Sequence, residues 1–181
     1  RTLISVSSTP IFMRHLATAG ISTDSTVPFV DPIVGAASKA LKTIFDVVGE
    51  SRLLMQPAKL AVRATAGWSV TDVAEASIAA AAEISEQILP FAKLLIADHR
   101  SAGDLLLLAS TSPLTEPLAR ALGFDGVVGT AWKNDGDAYT GEIDGAFVWG
   151  PDKAHAVQKW ATQHGVRLNR STAYSDSYFD S

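Results

Sequence analysis

The chain has 181 residues, a formal net charge of −4 and a hydrophobic content of 47%. This size suits one domain with a sizeable core, and the acidic balance argues against a nucleic-acid partner, since such surfaces carry a basic excess. The absence of cysteine excludes disulfides and thiolate-bound metals. No apolar run reaches the roughly 18 residues of a membrane span, and no apolar stretch typical of a signal peptide follows Arg1.

The first half of the chain has a helical pattern. Residues 36–48, 51–66 and 71–99 are rich in Ala, Leu, Glu and Lys, and their apolar residues recur at intervals of three and four. Ser69 or Thr71 is suited to cap the last of these helices. Because proline has no N–H to contribute to a helix, we expect Pro90 to kink that helix or to restart it.

From Asp104 onwards the pattern changes to alternating strands and helices. The predicted elements are a buried strand at 105–110, a helix at 115–122 closed by Gly123, two short strands within 126–145 around Asp135-Gly136, a helix at 153–164 ended by Gly165, and a final buried strand at 171–177. This alternation predicts an α/β fold with a doubly wound parallel sheet, whose active site lies at the carboxyl ends of the strands.

Polar side chains stand where these strands end or where a helix begins. Ser110 and Thr111 follow the first buried strand, where hydroxyl and backbone N–H groups can hold phosphate oxygens. Lys153 lies at a helix start and can neutralise phosphate charge. Asp176 and Asp180 end the last predicted strand and offer the oxygen ligands that Mg²⁺ prefers.

Each of these residues also has a plainer interpretation. Ser110 and Thr111 can simply cap the helix that follows them. Lys153 can be an ordinary solvated lysine, and Asp176 and Asp180 can be ordinary loop acids. These alternatives stay open when each motif is taken alone.

Taken in order, the motifs resemble those of a known family. LLLLASTSP, GPDK and AYSDSYFD are similar to the second, third and fourth motifs of the haloacid dehalogenase (HAD) superfamily, and YTGEIDG resembles the hairpin of its phosphoserine-phosphatase-like branch, subfamily IB. Arg1-Thr2-Leu3-Ile4 resembles the end of the first motif, Asp-x-Asp-x-Thr. The resemblance implies a HAD-like Rossmannoid parallel-sheet core at 1–6 and 87–181, incomplete at both ends, with an inserted helical cap at 7–86.

The same resemblance implies an Mg²⁺-dependent phosphomonoester hydrolase that acts on a small phosphorylated substrate through an aspartyl-phosphate. Its nucleophile and general acid, both aspartates, are expected just before Arg1, so the chain as printed is not expected to turn over. Thr2 would belong to the first motif. Ser110, Thr111 and Lys153 would bind the phosphoryl group, Asp176 would ligate Mg²⁺, and Asp180 would orient the metal's water shell.

One residue bears on the substrate, and the resemblance admits a second function. Phosphoserine phosphatases of this branch usually carry a glutamate at the place held here by Ser7, which argues against phosphoserine as the preferred substrate. The alternative function is a non-catalytic phospho-ligand or regulatory domain. Some members of the branch are fused to a lysophosphatidate acyltransferase, and the resemblance admits such a fusion here. We therefore expect a cytoplasmic protein, with membrane association only through a fused domain.

Overall fold

The computed structural model describes residues 3–4, 8–21 and 59–175. In this part of the chain the elements up to residue 101 are helical, and strands and helices follow from residue 107. The helices are α1 (Ser8–Thr18), α2 (Val70–Glu86), α3 (Pro90–Ser101), α4 (Thr115–Leu122) and α5 (Pro151–Gln163), and the strands are β1 (Leu107–Ser110), β2 (Gly126–Gly129), β3 (Ala131–Asn134) and β4 (Tyr139–Asp144). The predicted helix at 36–48 lies outside the described residues.

Helix α2 begins where the sequence predicts a cap. The Ser69 hydroxyl accepts a hydrogen bond from the backbone N–H of Asp72 at 3.2 Å, which satisfies one of the free donors of the first turn. The helix buries one apolar stripe against α1. This contact belongs to the hydrophobic core, which also includes Leu114 from the segment after β1. The buried residues of the core are Ile11, Phe12, Leu16, Ile21, Val73, Ala76, Ala80, Ile84 and Leu114.

Pro90 restarts the helix rather than kinking it. The predicted helix at 71–99 is two helices, because α2 ends at Glu86 and Pro90 occupies the first turn of α3. Leu89 is extended, with φ −58° and ψ 138°, as expected of a residue that precedes proline. Its N–H donates to the carbonyl of Leu3 at 3.0 Å, so the break between the helices is held by the N-terminal segment.

Strands β1 and β2 form a parallel pair that is joined by α4. Ser110 is in register with Gly129 at the carboxyl ends of the two strands. Helix α4 ends at Gly123, whose φ of 66° is left-handed, a conformation that glycine adopts without steric cost. This crossover helix was predicted from the sequence, but only two strands were predicted within 126–145. The structure has three, because β2 pairs with β1 before the hairpin begins.

The hairpin of β3 and β4 turns at Asp135-Gly136, as predicted. The carboxylate of Asp135 accepts N–H groups from Asp137 and Ala138, and these backbone bonds hold its pKa below the usual range. The segment that precedes α2 runs along the outer edge of the hairpin. Gly67 N–H donates to the carbonyl of Tyr139 at 2.8 Å, and Tyr139 N–H donates to the carbonyl of Trp68 at 2.9 Å.

The predicted final strand is wrong for the residues described. Residues 171–175 are exposed and belong to no strand. Only Ala173 and Tyr174 among them are apolar, too few for a strand that would be buried on both faces. The Tyr174 hydroxyl lies instead 2.9 Å from Nε2 of His99, whose Nδ1 is 2.7 Å from Asp104.

The division into a core at 1–6 and 87–181 and a cap at 7–86 stays a prediction. Within the described ranges, the helices include none that is long and apolar enough to cross a bilayer.

Candidate functional site

The carboxyl end of β1 carries the first two predicted site residues. The Ser110 hydroxyl oxygen accepts the N–H of Ser112 at 3.3 Å, which leaves its own proton available for donation to a ligand. Thr111 donates its hydroxyl proton to the carbonyl of Val148 at 2.8 Å. Neither side chain caps α4, whose N-cap is Leu114 and has no side-chain cap bond. The interpretation of Ser110 and Thr111 as a plain helix cap is therefore wrong.

Lys153 lies in the first turn of α5. Gly150 precedes the helix, and its carbonyl accepts the N–H of Lys153 at 3.0 Å. The lysine side chain is half-buried, whereas Lys159 farther along the helix is exposed. The N-terminus of a helix carries partial positive charge, so a cation in the first turn adds to that charge instead of offsetting it. The helix N-terminus and the Lys153 ammonium both attract an anion, and the carboxylate of Asp152 in the same turn is one such group.

The backbone of one residue, Val148, connects the end of β1 with the segment that leads into α5. The carbonyl of Val148 accepts the hydroxyl of Thr111, and the N–H of Val148 donates to the hydroxyl oxygen of Thr130 at 3.0 Å. Val148 is two residues before Gly150, so the end of β1 and the entry to α5 lie side by side. The sequence analysis did not select Thr130. The signal that could have found it is its place directly after β2, which matches the place of Thr111 after β1.

A further cation reaches this region from the segment predicted as the cap. The ammonium of Lys59 lies 5.8 Å from the centre of the Phe147 ring, a distance typical of a cation–π contact. Phe147 is buried and directly precedes Val148. This contact connects the residues before α2 with the segment that leads into α5.

The predicted metal ligands, Asp176 and Asp180, lie outside the described residues, as does Thr2 of the first motif. Across residues 3–4, 8–21 and 59–175, no three histidine or carboxylate side chains come together in a way that could hold a metal ion. Mg²⁺ binding at Asp176 and Asp180 therefore stays a prediction.

Sequence comparisons relate the chain to known hydrolases. A sequence model of the haloacid dehalogenase-like hydrolases matches residues 1–180. The phosphoserine phosphatase SerB1 of Mycobacterium tuberculosis is 37% identical over 99 residues, which are 54% of this chain and 32% of that protein. A probable phosphatase of the same species is 33% identical over 119 residues, 64% of this chain and 41% of that protein. The chain thus spans about a third of the length of the first of these relatives.

Solved structures agree with the fold. A Bordetella pertussis protein of unknown function superposes with a TM-score of 0.67 at 24% identity, covering 93% of this chain and 73% of that one. A substrate-bound phosphoserine phosphatase superposes with a TM-score of 0.55 at 17% identity, covering 92% of this chain and 69% of that one. The described α/β arrangement, with its parallel strand pair and crossover helix, is that of these proteins. The chain belongs to the haloacid dehalogenase-like hydrolase family and resembles its phosphoserine phosphatases.

Proposed function

We propose that this protein is a phosphatase that hydrolyses small phosphomonoesters. The observation that supports the proposal is the bond from Thr111 to Val148, because Val148 lies three residues before α5 begins at Pro151. Ser110 and Lys153 belong to these two elements. A hydroxyl donor, a lysine and a helix N-terminus at one sheet edge suit a phosphoryl group better than a neutral ligand.

In this mechanism Ser110 and Lys153 bind the phosphoryl oxygens. Ser110 donates its hydroxyl proton in a hydrogen bond. Lys153 supplies a positive charge, whose stabilising effect increases as negative charge develops on the transferring group. Thr111 has a different role, since its single hydroxyl proton is engaged with Val148. It fixes the end of β1 against the entry to α5, and only its backbone is available to the ligand.

The reacting groups are proposed from the family. An aspartate just before Arg1 attacks phosphorus through a carboxylate oxygen and becomes the aspartyl-phosphate. The ester oxygen leaves as its bond to phosphorus breaks, and it takes a proton from a second aspartate. Water then cleaves that acyl phosphate, giving up its proton to the second aspartate. Asp176 would ligate Mg²⁺ and Asp180 would orient its water shell, and the metal would offset the repulsion between carboxylate and phosphate.

The substrate is proposed as a phosphomonoester without a strong preference for phosphoserine. The relatives include proteins named phosphoserine phosphatase. Ser7, however, stands where a glutamate would meet the substrate amine, and a hydroxyl has no charge to pair with an ammonium. Phosphoserine and a phosphomonoester without an amine should therefore give similar kcat/KM values.

The test is turnover of p-nitrophenyl phosphate by the full-length protein with Mg²⁺ and with EDTA. We expect hydrolysis with Mg²⁺ and none with EDTA. Full activity in EDTA would rule out the mechanism. Binding of inorganic phosphate without any turnover would favour the alternative, a phospho-ligand or regulatory domain. The reading frame on both sides of the chain tests two further expectations, the Asp-x-Asp before Arg1 and a fused acyltransferase.

A further inference from the structure

Two threonines bind the backbone N–H and C=O of one residue, Val148. Thr111 donates its hydroxyl proton to the carbonyl of Val148 at 2.8 Å, and Thr130 accepts the N–H of Val148 at 3.0 Å. We refer to Thr111, Thr130 and Val148 as the threonine clamp. Both polar groups of the Val148 backbone are satisfied by side chains, in a place where the chain belongs to neither a helix nor a strand.

The clamp follows from the register of the parallel strands. Ser110 pairs with Gly129 at the ends of β1 and β2, and the two threonines are the residues that directly follow this pair. Because both strands run in the same direction, both hydroxyls stand at the carboxyl edge of the sheet. Val148 crosses that edge just before α5 begins at Pro151. The clamp therefore ties two strand ends to the helix that carries Lys153.

Burial makes the clamp stiff. Thr130 is 5% exposed and Val148 is 4% exposed. A buried N–H group that loses its acceptor has no water to replace it, so opening the clamp on the Thr130 side is unfavourable. Thr111 is half-buried, and its bond is the more accessible half of the clamp.

We propose that Thr130 is a positioning residue for the phosphate site. It does not touch the phosphoryl group. It fixes Val148, and through Val148 it sets the first turn of α5 with Lys153 against the end of β1 with Ser110. This inference rests on the proposed function and deepens it, because it assigns to a residue outside the family motifs the alignment of the two phosphate-binding elements.

The test uses two substitutions in the full-length protein. Thr130→Val keeps the shape and removes the hydroxyl, and Thr130→Ser keeps the hydroxyl. We expect Thr130→Val to raise both the KM for p-nitrophenyl phosphate and the inhibition constant of inorganic phosphate by about five- to tenfold, the effect of one misaligned hydrogen bond. The value of kcat should change less, and Thr130→Ser should restore both constants.

A matched control separates positioning from stability. Thr65 is also buried, at 2% exposure, and its hydroxyl donates to the carbonyl of Val62 at 2.8 Å, within one local helical turn. Thr65→Val should lower the melting temperature without raising KM. If Thr130→Val does not fold, Thr111→Val opens the other half of the clamp and should raise the same two constants.

The outcomes are distinguishable. If wild-type protein does not hydrolyse the substrate, the proposed function fails. If wild type is active but Thr130→Val or Thr111→Val keeps the wild-type KM and phosphate inhibition, the positioning role is overturned. It is also overturned if Thr130→Ser does not restore them, or if Thr65→Val raises KM as much as Thr130→Val does.

Discussion

The indole of Trp160 lies directly against the Cα of Gly126, so that a Cβ on residue 126 would overlap Cζ2 and Cε2 of the ring. This contact seats α5 on β2. A substitution of Gly126→Ala cannot be accommodated without moving the helix or the strand, and overpacking of this kind costs about 1–3 kcal/mol. We expect a lower urea midpoint of unfolding in the full-length protein.

The control for Gly126→Ala is Trp160→Leu, which clears the space. In the Trp160→Leu background the alanine should cost much less than it does in wild type. An alanine penalty that is equal in both backgrounds would contradict the contact.

Lys153 and Lys159 lie on the same helix and offer a matched pair. Lys153→Met removes the charge in the first turn of α5, and a hydrogen bond to a charged group is worth about 1.5–3 kcal/mol, or about ten- to 150-fold in kcat/KM. We expect a loss in that range for p-nitrophenyl phosphate, while the same change at the exposed Lys159 leaves the rate near wild type. Equal effects at both positions would remove Lys153 from the site.

Asp176 and Asp180 are predicted to differ in their effect on Mg²⁺. Asp176→Asn removes a formal charge on the metal, whereas Asp180→Asn removes one that acts through bound water. Metal charge stabilisation is worth several kcal/mol, and each ~1.4 kcal/mol is tenfold in rate. Titrating Mg²⁺ against turnover should show a far larger loss for Asp176→Asn. An Asp176→Asn protein as fast as wild type would exclude the assignment.

The contact between α1 and α2 through Glu83 should make the stability of the protein depend on pH in the acid range. Its pKa is held below the usual range, mainly by the hydrogen bond with His15 at 2.9 Å and then by that from Arg14. A carboxylate whose pKa falls on folding stabilises the folded state above its unfolded pKa, and this contribution is lost as pH falls through the folded pKa.

The measurement is the thermal midpoint of wild type and Glu83→Gln as pH is lowered. The midpoints should differ most near neutral pH and converge below about pH 4, under the ordinary glutamate pKa of about 4.3. Glu75→Gln, an exposed position on the same helix, is the control. A wild-type advantage that grows as the solution becomes more acidic would contradict the sign.

Local chemistry made much of the fold predictable. The cap at Ser69, the restart at Pro90, the helix end at Gly123 and the turn at Asp135-Gly136 are each decided by neighbouring residues. Strand β2 was not predicted as a separate strand, because only one residue, Thr130, lies between it and β3. The predicted final strand is absent over residues 171–175, because this short polar segment has too few apolar residues to bury.

The sequence proposes residues for the candidate site but not their geometry. Motif order selected Ser110 and Lys153, which lie on elements that the structure joins through Val148. The joining group is a backbone carbonyl, and every residue has one, so sequence carries no sign of it. Thr130 was not predicted for a related reason, since its proposed positioning role depends on the register of β1 and β2.

The pairing of Gly67 and Trp68 with Tyr139 has a consequence for the order of folding. The hairpin of β3 and β4 closes a short loop and can form early, whereas its outer edge is completed by a segment far away in the chain. Closing that long loop loses more chain entropy than closing the hairpin does, so we expect it to form later. Substitutions at the Asp135-Gly136 turn should therefore slow refolding, and substitutions at Trp68 should mainly accelerate unfolding, a difference that stopped-flow kinetics in urea can measure.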